Sequence, residues 1–492
     1  MFEASHPFAF FDYFRVPYTV RPEKRAGQDR NAALPVHRLR VADQPEGAAR
    51  SLLWLGTDAR MEAGPANCQL GRYELGGFTF FCHMLPADQI SKIIGQFGQG
   101  WHAVETIRGE GGYPRAAVWQ DDSGSIFLPF DPGEAMRTFW SEGYGRIGRS
   151  PLSRGSRTAL VRGYYLVRPV VPRHVQLRLR RAFASVQAKS AFPKWPLEDS
   201  LHVLYEWLFG LVMEIAGRPV PFLDRWPDGR SWALVLTHDV ETEAGCCDIE
   251  LLRAPERRLS YQSSWNFVPL RYQVADHTVR ALQQEGCEVG VHGLRHDGRD
   301  LGSPRLLARR LPEMRKYADR WHAVGFRSPA TQRQWDLMPR LGFDYDSSYT
   351  DTDPYEPQPG GCCTYLPYFN ENIVELPITL PQDHTMFSIL ENPDARLWLE
   401  KAQHLRDRQG MVLALTHPDY ARDDRVREGY RSLLESFHGD STVWHALPRE
   451  VASWWRQRAC STLRRTDGGW CIDGPASARG RIQYATAAPV RV

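Results

Sequence analysis

Short apolar runs alternate with amphipathic segments along the second half of the chain. Apolar residues recur at helical spacing over 197–216, which predicts a helix there. The run SWALVLT at 231–237 is apolar almost throughout and predicts a buried strand. Because such strands and helices alternate up to about residue 459, the pattern predicts a parallel sheet, either open or closed into a barrel.

The same alternation gives the remaining elements of this region. It predicts strands at 287–291, 323–326, 343–348, 373–376, 411–416 and 443–447. It predicts helices at 332–341, 394–409, 425–438 and 448–457, and one more that opens at Ser303 and Pro304.

The flanking regions have a different texture. Strand-like segments at 73–83 and 117–130, separated by Gly-rich turns, predict a mixed α+β domain over residues 1–195. A short β-rich tail is expected over 460–492, so that 196–459 forms the central α/β domain. The pattern assigns no role to the first domain.

Composition changes this picture little. The 492 residues are 42% apolar and 24% charged, as in ordinary globular proteins, and the net charge of +3 gives no sign of nucleic-acid binding. Residues 137–182 hold eleven Arg and one acidic residue. Two interpretations stay open for that segment, a solvated face or a patch for an anionic polymer or a membrane surface.

Neither targeting nor membrane insertion is indicated by the sequence. No apolar stretch approaches the about 20 residues of a membrane span, and the first residues lack the basic and apolar regions of a signal peptide. The nine cysteines form no CxxC pair. We therefore expect a reducing, cytoplasmic setting, with peripheral membrane attachment left open.

Chemistry-bearing residues follow the predicted strands. His292 and His296 are four residues apart, so a helical turn would place both imidazoles on one face, where they can share a metal ion. Asp239 and Glu241 lie two apart, and an extended segment would point both carboxylates the same way. The alternatives are two solvated histidines and a carboxylate that caps the next helix.

Two further residues follow strands in the same manner. Arg327 can hold a nearby carboxylate ionised and oriented, or it can form a purely structural ion pair. His417 follows the apolar run 411–416 and can donate a proton to a leaving group, or it can be a hydrogen-bonded histidine of the core.

Taken in order, four of these motifs resemble one family. THDVE at 237–241, the HxxxH pair at 292–296, RSP at 327–329 and LTH at 415–417 are similar to the motifs of the polysaccharide deacetylases with the NodB-homology domain, carbohydrate esterase family 4. The resemblance covers about 225–455, slightly under half of the chain. It implies a distorted (β/α)7 barrel.

The resemblance also implies roles for single residues. A divalent metal, usually zinc, would be held by His292 and His296 and would activate water, with Asp239 as the general base. Arg327 would orient Asp239, and His417 would protonate the departing amine. The family's second Asp is replaced by Val240, and by resemblance to DVE-type branches we assign its metal-binding role to Glu241.

Three functions follow as hypotheses. The first is metal-dependent deacetylation of an N-acetylated carbohydrate polymer or its precursor. The second is hydrolysis of a small or cyclic amide by the same fold, and the third is an inactive binding module in polysaccharide assembly, suggested by the loss of the second Asp. The family's fourth motif is not evident, and four residues are candidates for either the cleft wall or plain packing: Trp335, Tyr349, Asp383 and His384.

Overall fold

The structure is a computed structural model. It describes residues 1–22, 36–42, 50–56, 68–147, 178, 180–182, 184, 187 and 191–485. The chain forms two compact units. The first comprises Met1–Gly148, Asp199–Asp224 and Gln457–Val492, and the second comprises Arg149–Glu198 and Arg225–Arg456.

The first unit contains a nine-stranded sheet with strand order β2-β1-β3-β4-β9-β8-β7-β5-β6. Its strands are β1 (Phe2–Ala4), β2 (Tyr18–Val20), β3 (Val36–Val41), β4 (Ser51–Leu55), β5 (Gln69–Leu75), β6 (Phe78–Met84), β7 (His102–Arg108), β8 (Pro114–Gln120) and β9 (Ile126–Leu128). The helices of this unit are α1 (Ala9–Phe14), α2 (Ala87–Gln96), α3 (Pro132–Trp140) and α4 (Ser200–Ala216). The predicted mixed α+β character of the N-terminal region is therefore confirmed.

Helix α4 belongs to this first unit, although the sequence pattern placed it at the start of the barrel domain. Its aromatic face packs on α1, with ring centroids 4.7 Å apart for Phe10 and Phe209 and 5.1 Å apart for Phe14 and Tyr205. The compact units therefore differ from the linear boundaries expected at residues 195 and 459. Those boundaries stay a prediction of which segments fold independently.

The second unit is built on seven parallel strands, counted over the part of the chain that is described. They are β11 (Trp232–Val240), β12 (Ser264–Phe267), β13 (Glu288–Val291), β14 (Gly325–Phe326), β15 (Tyr345–Asp346), β17 (Ile373–Glu375) and β18 (Met411–Thr416), in the spatial order β17-β15-β14-β13-β12-β11-β18. Outside this row lie β16 (Tyr368–Asn370), antiparallel to β17, and β19 (Val443–His445), an eighth parallel strand that pairs with the start of β11.

Helices connect these strands and cover the sheet. They are α5 (Glu243–Cys247), α6 (Ile249–Arg258), α7 (Asp276–Gln284), α8 (Pro304–Trp321), α9 (Arg396–Asp407), α10 (Asp424–Phe437) and α11 (Pro448–Ala459). Every residue of β11 is buried, as expected for the central strand of a sheet covered on both faces.

The tail adds the hairpin β20 (Thr462–Thr466) and β21 (Gly469–Asp473), and β22 (Ile482–Ala485) pairs with β10 (Val220–Leu223).

The curled parallel sheet is closed by the segment that follows β17. The backbone N–H groups of Thr379 and Leu380 both donate to the carbonyl of Leu413 in β18, at 3.2 and 3.1 Å. The Thr379 hydroxyl donates to the Met411 carbonyl at 2.9 Å and accepts from the Leu413 N–H at 2.7 Å. These bonds join the two edges of the sheet, so the predicted distorted (β/α)7 barrel is confirmed.

Some predicted elements differ from the structure. The helix expected over 332–341 is absent, and only 3₁₀ turns form there, because Pro339 lacks the N–H that a continuing helix needs. Strand β12 and the helices α6 and α7 are additional to the predicted elements. Strand β12 has four residues, two of them polar, so it lacks the apolar run of the other strands. Helices α6 and α7 are amphipathic, with Leu252 and Leu282 on their buried faces, so their periodicity is present in the sequence and the prediction missed it.

The expectations about membrane spans and about the Arg-rich segment can be compared with the described residues only. Within the described residues, no helix combines the length and apolarity that crossing a membrane requires. Most of the Arg-rich segment 137–182 lies outside the described residues, so the suggested anionic-polymer or membrane patch is not addressed by the structure.

The barrel closure gives the first testable prediction. Thr379→Val keeps the shape of the side chain but leaves the buried N–H of Leu413 and the carbonyl of Met411 without their partner. We expect this to lower the free energy of unfolding by about 1–3 kcal/mol. Thr379→Ser keeps the hydroxyl and is the matched control. Urea unfolding that shows Thr379→Val to be as stable as the wild type would contradict the closure described above.

Candidate active site

Asp239 lies at the end of β11 and is only 2% exposed. Its Oδ1 accepts a hydrogen bond from Asn266 of β12 at 2.9 Å and another from Arg327 Nη1 at 3.1 Å. Burial alone would raise the pKa of Asp239, but Arg327, together with His292, His417 and Asn266, lowers it by more and holds it below its usual range. The carboxylate is therefore ionised at neutral pH, as a general base requires.

Arg327 follows β14 and is itself 1% exposed. Nε donates to the Ser347 carbonyl at 2.7 Å and Nη2 to the Ser347 hydroxyl at 2.8 Å. Nη1 is shared between the Thr237 hydroxyl at 2.9 Å and Asp239. Because acceptors on β11 and just after β15 fix the guanidinium plane, its orientation towards Asp239 is fixed as well.

His292 follows β13, and its two ring nitrogens have different surroundings. Nδ1 lies 3.1 Å from the carbonyl of Arg327, so this nitrogen carries the proton and donates. The buried Nε2 then presents a lone pair and has no hydrogen-bond partner among the described residues. Burial lowers the pKa of His292 to about 4, which keeps the ring neutral. A neutral imidazole with a free, buried nitrogen is what a metal ligand requires.

His296 is brought beside His292 by a loop and not by the expected helical turn. Gly293 and His296 both have left-handed backbones, with φ of 61° and 54°, and the two imidazole centroids lie 5.2 Å apart. A Cβ on Gly293 would lie 2.5 Å from Pro329 Cδ, so only glycine fits against the RSP segment. Sequence spacing therefore predicted the proximity of the two rings but not the conformation that produces it.

Glu241 comes directly after β11 and completes a group of three possible ligands. Its Oε1 accepts from His296 Nε2 at 2.8 Å and lies 3.9 Å from His417 Nε2. Burial would raise the pKa of Glu241, but His296, together with His417 and His292, lowers it by more, and the pKa is held well below its usual range. One donor atom from each of Glu241, His292 and His296 lies within 4.8 Å of the other two.

This group fits a divalent metal ion. Two neutral nitrogen donors and one carboxylate form a common protein ligand set for catalytic zinc, which leaves a position for water or substrate. The lone pair of His292 Nε2 meets no hydrogen-bond donor in the part of the chain that the structure describes, and a bound cation would supply a partner. Glu241, His292 and His296 are thus the residues that can hold the metal, although their arrangement does not identify which metal it is.

His417 follows β18 and is paired with a buried carboxylate. Nδ1 lies 2.6 Å from Asp383 Oδ1, and the His417 backbone N–H donates to Asp383 Oδ2 at 2.7 Å. Burial alone would lower the pKa of His417, but the Asp383 carboxylate, together with Glu241 and Asp239, raises it by more, to about 10. The imidazole is therefore protonated at neutral pH, with Nε2 directed towards Glu241.

The structure thus brings all six predicted site residues together at the carboxyl ends of the strands. Sequence reasoning assigned no role to Asn266 and gave Asp383 only as a cleft or packing candidate. The signal for Asp383 was its place in the run PQDHT before a predicted helix, which does not specify a partner. Trp335 stacks near Tyr368, with ring centroids 6.3 Å apart, so the aromatic candidates form a packed cluster.

His238, which stands beside Asp239 in the sequence, has a separate buried role. Its ring stacks on Trp265 with centroids 4.1 Å apart, Nε2 lies 2.7 Å from Glu256 Oε1, and Nδ1 lies 2.8 Å from the Thr416 hydroxyl. His238 and Thr416 are direct partners on the adjacent strands β11 and β18. This contact ties together the two strands that carry Asp239 and His417.

Comparison with known proteins gives similarity at the level of solved structures. No family model and no curated protein sequence matches the chain. A Mycobacterium smegmatis protein provisionally assigned as a polysaccharide deacetylase shares 18% identity, covering 48% of this chain and 93% of that chain, with a TM-score of 0.39. The PuuE allantoinase shares 15% identity, covering 47% of this chain and 92% of that chain, with a TM-score of 0.39. A family 4 carbohydrate esterase from Streptomyces lividans shares 11% identity, covering 44% of this chain and 93% of that chain, with a TM-score of 0.30.

The Asp383–His417 pair generates a prediction about pH. In Asp383→Asn the carboxylate that raises the pKa of His417 is gone, while burial still lowers it. His417 then loses its proton at a lower pH, so we expect the alkaline limb of the kcat profile to move to lower pH. Asp423→Asn, which changes an exposed carboxylate that caps α10, is the control of equal charge. An unchanged alkaline limb in Asp383→Asn would contradict the claim that the Asp383–His417 pair sets this limb.

Proposed function

We propose that the barrel is a metal-dependent amide hydrolase that removes acetyl groups from an N-acetylated sugar polymer or its precursor. The observation that carries this proposal is the grouping of three metal donors within 4.8 Å beside an ionised Asp239 and a protonated His417. Amide hydrolysis needs these parts, since water must be activated and the leaving amine must be protonated. The order of the four sequence motifs supports the acetylated carbohydrate as substrate.

The metal would be held by Glu241, His292 and His296. A bound divalent cation such as zinc lowers the pKa of water and polarises the amide carbonyl. The chain's own contribution is to keep the ligands in the required protonation states. The Arg327 carbonyl holds the proton on Nδ1 of His292, which leaves Nε2 for the cation.

Asp239 would take the proton of the attacking water. Its Oδ1 is occupied by Asn266 and Arg327, so Oδ2 is the oxygen left for this task, and Oδ2 lies 3.6 Å from His292 Nδ1. The Arg327 charge keeps the carboxylate ionised between turnovers. Because Asn266 and Arg327 donate from two different strands, the carboxylate has little freedom to rotate away.

His417 would deliver a proton to the departing amine nitrogen. The Asp383 carboxylate stabilises the imidazolium and fixes the ring by accepting at Nδ1, so that the Nε2 proton is the one available. Asp239 lies near the end of β11, and His417 directly follows the adjacent strand β18. They would therefore act on one bound amide from neighbouring strand ends.

The retained charges speak for an enzyme rather than an inactive binding module. A buried carboxylate and a buried guanidinium are costly to desolvate, and a lone buried imidazole nitrogen adds to that cost. Val240 replaces the second Asp of the family, yet the carboxylate one residue later reaches His296. A module without catalysis has no need for this combination.

The proposal is tested by acetate release. We expect the zinc-loaded protein to release acetate from N-acetylglucosamine oligomers, and His292→Ala to lose both the zinc and the activity. Cyclic ureides are the comparison substrates for the small-amide alternative. Hydrolysis of the ureide without any acetate release would replace the proposed substrate, and a zinc-loaded protein inactive on both would overturn the proposed activity.

The division of labour between the two carboxylates can be measured separately. Asp239→Asn should keep the zinc affinity and lower kcat by roughly two to four orders of magnitude, the usual range for general acid–base catalysis. Glu241→Gln should weaken zinc affinity, with activity partly restored by excess zinc. Loss of zinc in Asp239→Asn together with wild-type affinity in Glu241→Gln would exchange the two roles.

A further inference from the structure

Glu241 is the first residue after the end of strand β11. Strand β11 ends at Val240, the last residue paired with β12, so within the described residues the next peptide is not held by a strand. The Glu241 N–H instead donates to Asp419 Oδ2 at 2.9 Å. A side chain from the loop after β18 therefore takes the place of a strand at this point.

Asp419 uses both carboxylate oxygens on this one segment. Its Oδ2 accepts from Glu241 N–H, and its Oδ1 accepts from the hydroxyl of Thr242. The Thr242 hydroxyl in turn accepts from the Gly245 N–H at 3.2 Å and caps the short helix α5. Asp419 is not among the grouped donors Glu241, His292 and His296, and with both oxygens bonded to this segment it serves as an anchor for the chain around Glu241.

The space for this carboxylate depends on a glycine. A Cβ on Gly245 would lie 2.3 Å from Asp419 Oδ2 and 2.5 Å from Asp419 Cγ, closer than real Cβ contacts come. Gly245 does not have a left-handed backbone, so its own conformation does not demand glycine. The close approach of Asp419 is therefore the reason that position 245 has no side chain.

We propose that Asp419 is a positioning residue that sets where the Glu241 carboxylate meets the metal. This inference rests on the proposed function. Glutamate has one more rotatable bond than aspartate, so its carboxylate is well placed only if its backbone is fixed. Partners that orient ligands from outside the ligand set typically contribute a factor of about 10–100 in metal affinity.

The inference also places the proton donor and the positioning residue on one loop. His417 and Asp419 are two residues apart after β18, and the 3₁₀ turn Pro418–Tyr420 joins them. One loop would thus carry the proton donor and also hold the ligand segment that follows β11. An alternative is that Asp419 merely stabilises this turn, in which case its loss would affect unfolding but not zinc affinity.

Zinc affinity of the full chain separates these readings. Competition with a chromophoric chelator is measured for the wild type, Asp419→Asn and Gly245→Ala, with Asp423→Asn as the matched control from the same loop region. We expect zinc affinity about 10–100-fold weaker in Asp419→Asn, with kcat recovering at saturating zinc, and wild-type affinity in Asp423→Asn.

Gly245→Ala is a second test of the same contact. The new methyl group would clash with Asp419, so a purely structural role expects lower stability with unchanged zinc affinity. The positioning role expects weaker zinc affinity, because the new methyl group displaces Asp419. Wild-type zinc affinity in both Asp419→Asn and Gly245→Ala would overturn the inference alone. A wild-type protein that binds no zinc would overturn the proposed function and this inference with it.

Discussion

The ion pair between Arg327 and Asp239 is the contact on which the rest of the site depends. Two opposite charges that are almost fully buried are stable only if every donor and acceptor is matched. Ser347 and Thr237 accept three further N–H groups of the guanidinium, and the Arg327 carbonyl fixes the tautomer of His292. A single residue thereby determines both the charge of the base and the free nitrogen of a metal ligand.

The parallel sheet explains how residues far apart in the chain reach one place. Six strands adjacent in the sheet each deliver one side chain at or just after their carboxyl ends: His417 (β18), Asp239 (β11), Asn266 (β12), His292 (β13), Arg327 (β14) and Ser347 (β15). This is the face where parallel barrels form their sites. The closure through Thr379 fixes the two edges of the sheet and hence the curvature that brings these ends together.

The sequence predicted the site better where the signal was a buried strand. The runs that became β11 and β18 are continuously apolar, so Asp239 and His417 were recognisable as residues at strand ends. Strand β12 has only four residues, two of them polar, and with it Asn266 was missed. Asp383 precedes an irregular π-helical turn, and no periodicity shows that its side chain turns back to His417.

Contacts between loops were the least predictable part. His296 sits in a left-handed backbone that the HxxxH spacing does not reveal, and the helix expected over 332–341 is broken at Pro339. Asp419 stands near His417 in sequence, but its partners Glu241 and Thr242 are nearly 180 residues away. Such pairings are set by tertiary structure, and hydrophobic patterning contains no information about them.

The central claim is that Glu241, His292 and His296 form one metal site. X-ray absorption at the zinc K-edge, on the full chain loaded with one equivalent of zinc, tests it most directly. The account predicts two imidazole nitrogens at about 2.0–2.1 Å with oxygen ligands completing the shell. A shell with sulfur at about 2.3 Å, or one with no imidazole, would contradict it, because zinc would then be bound elsewhere on the chain.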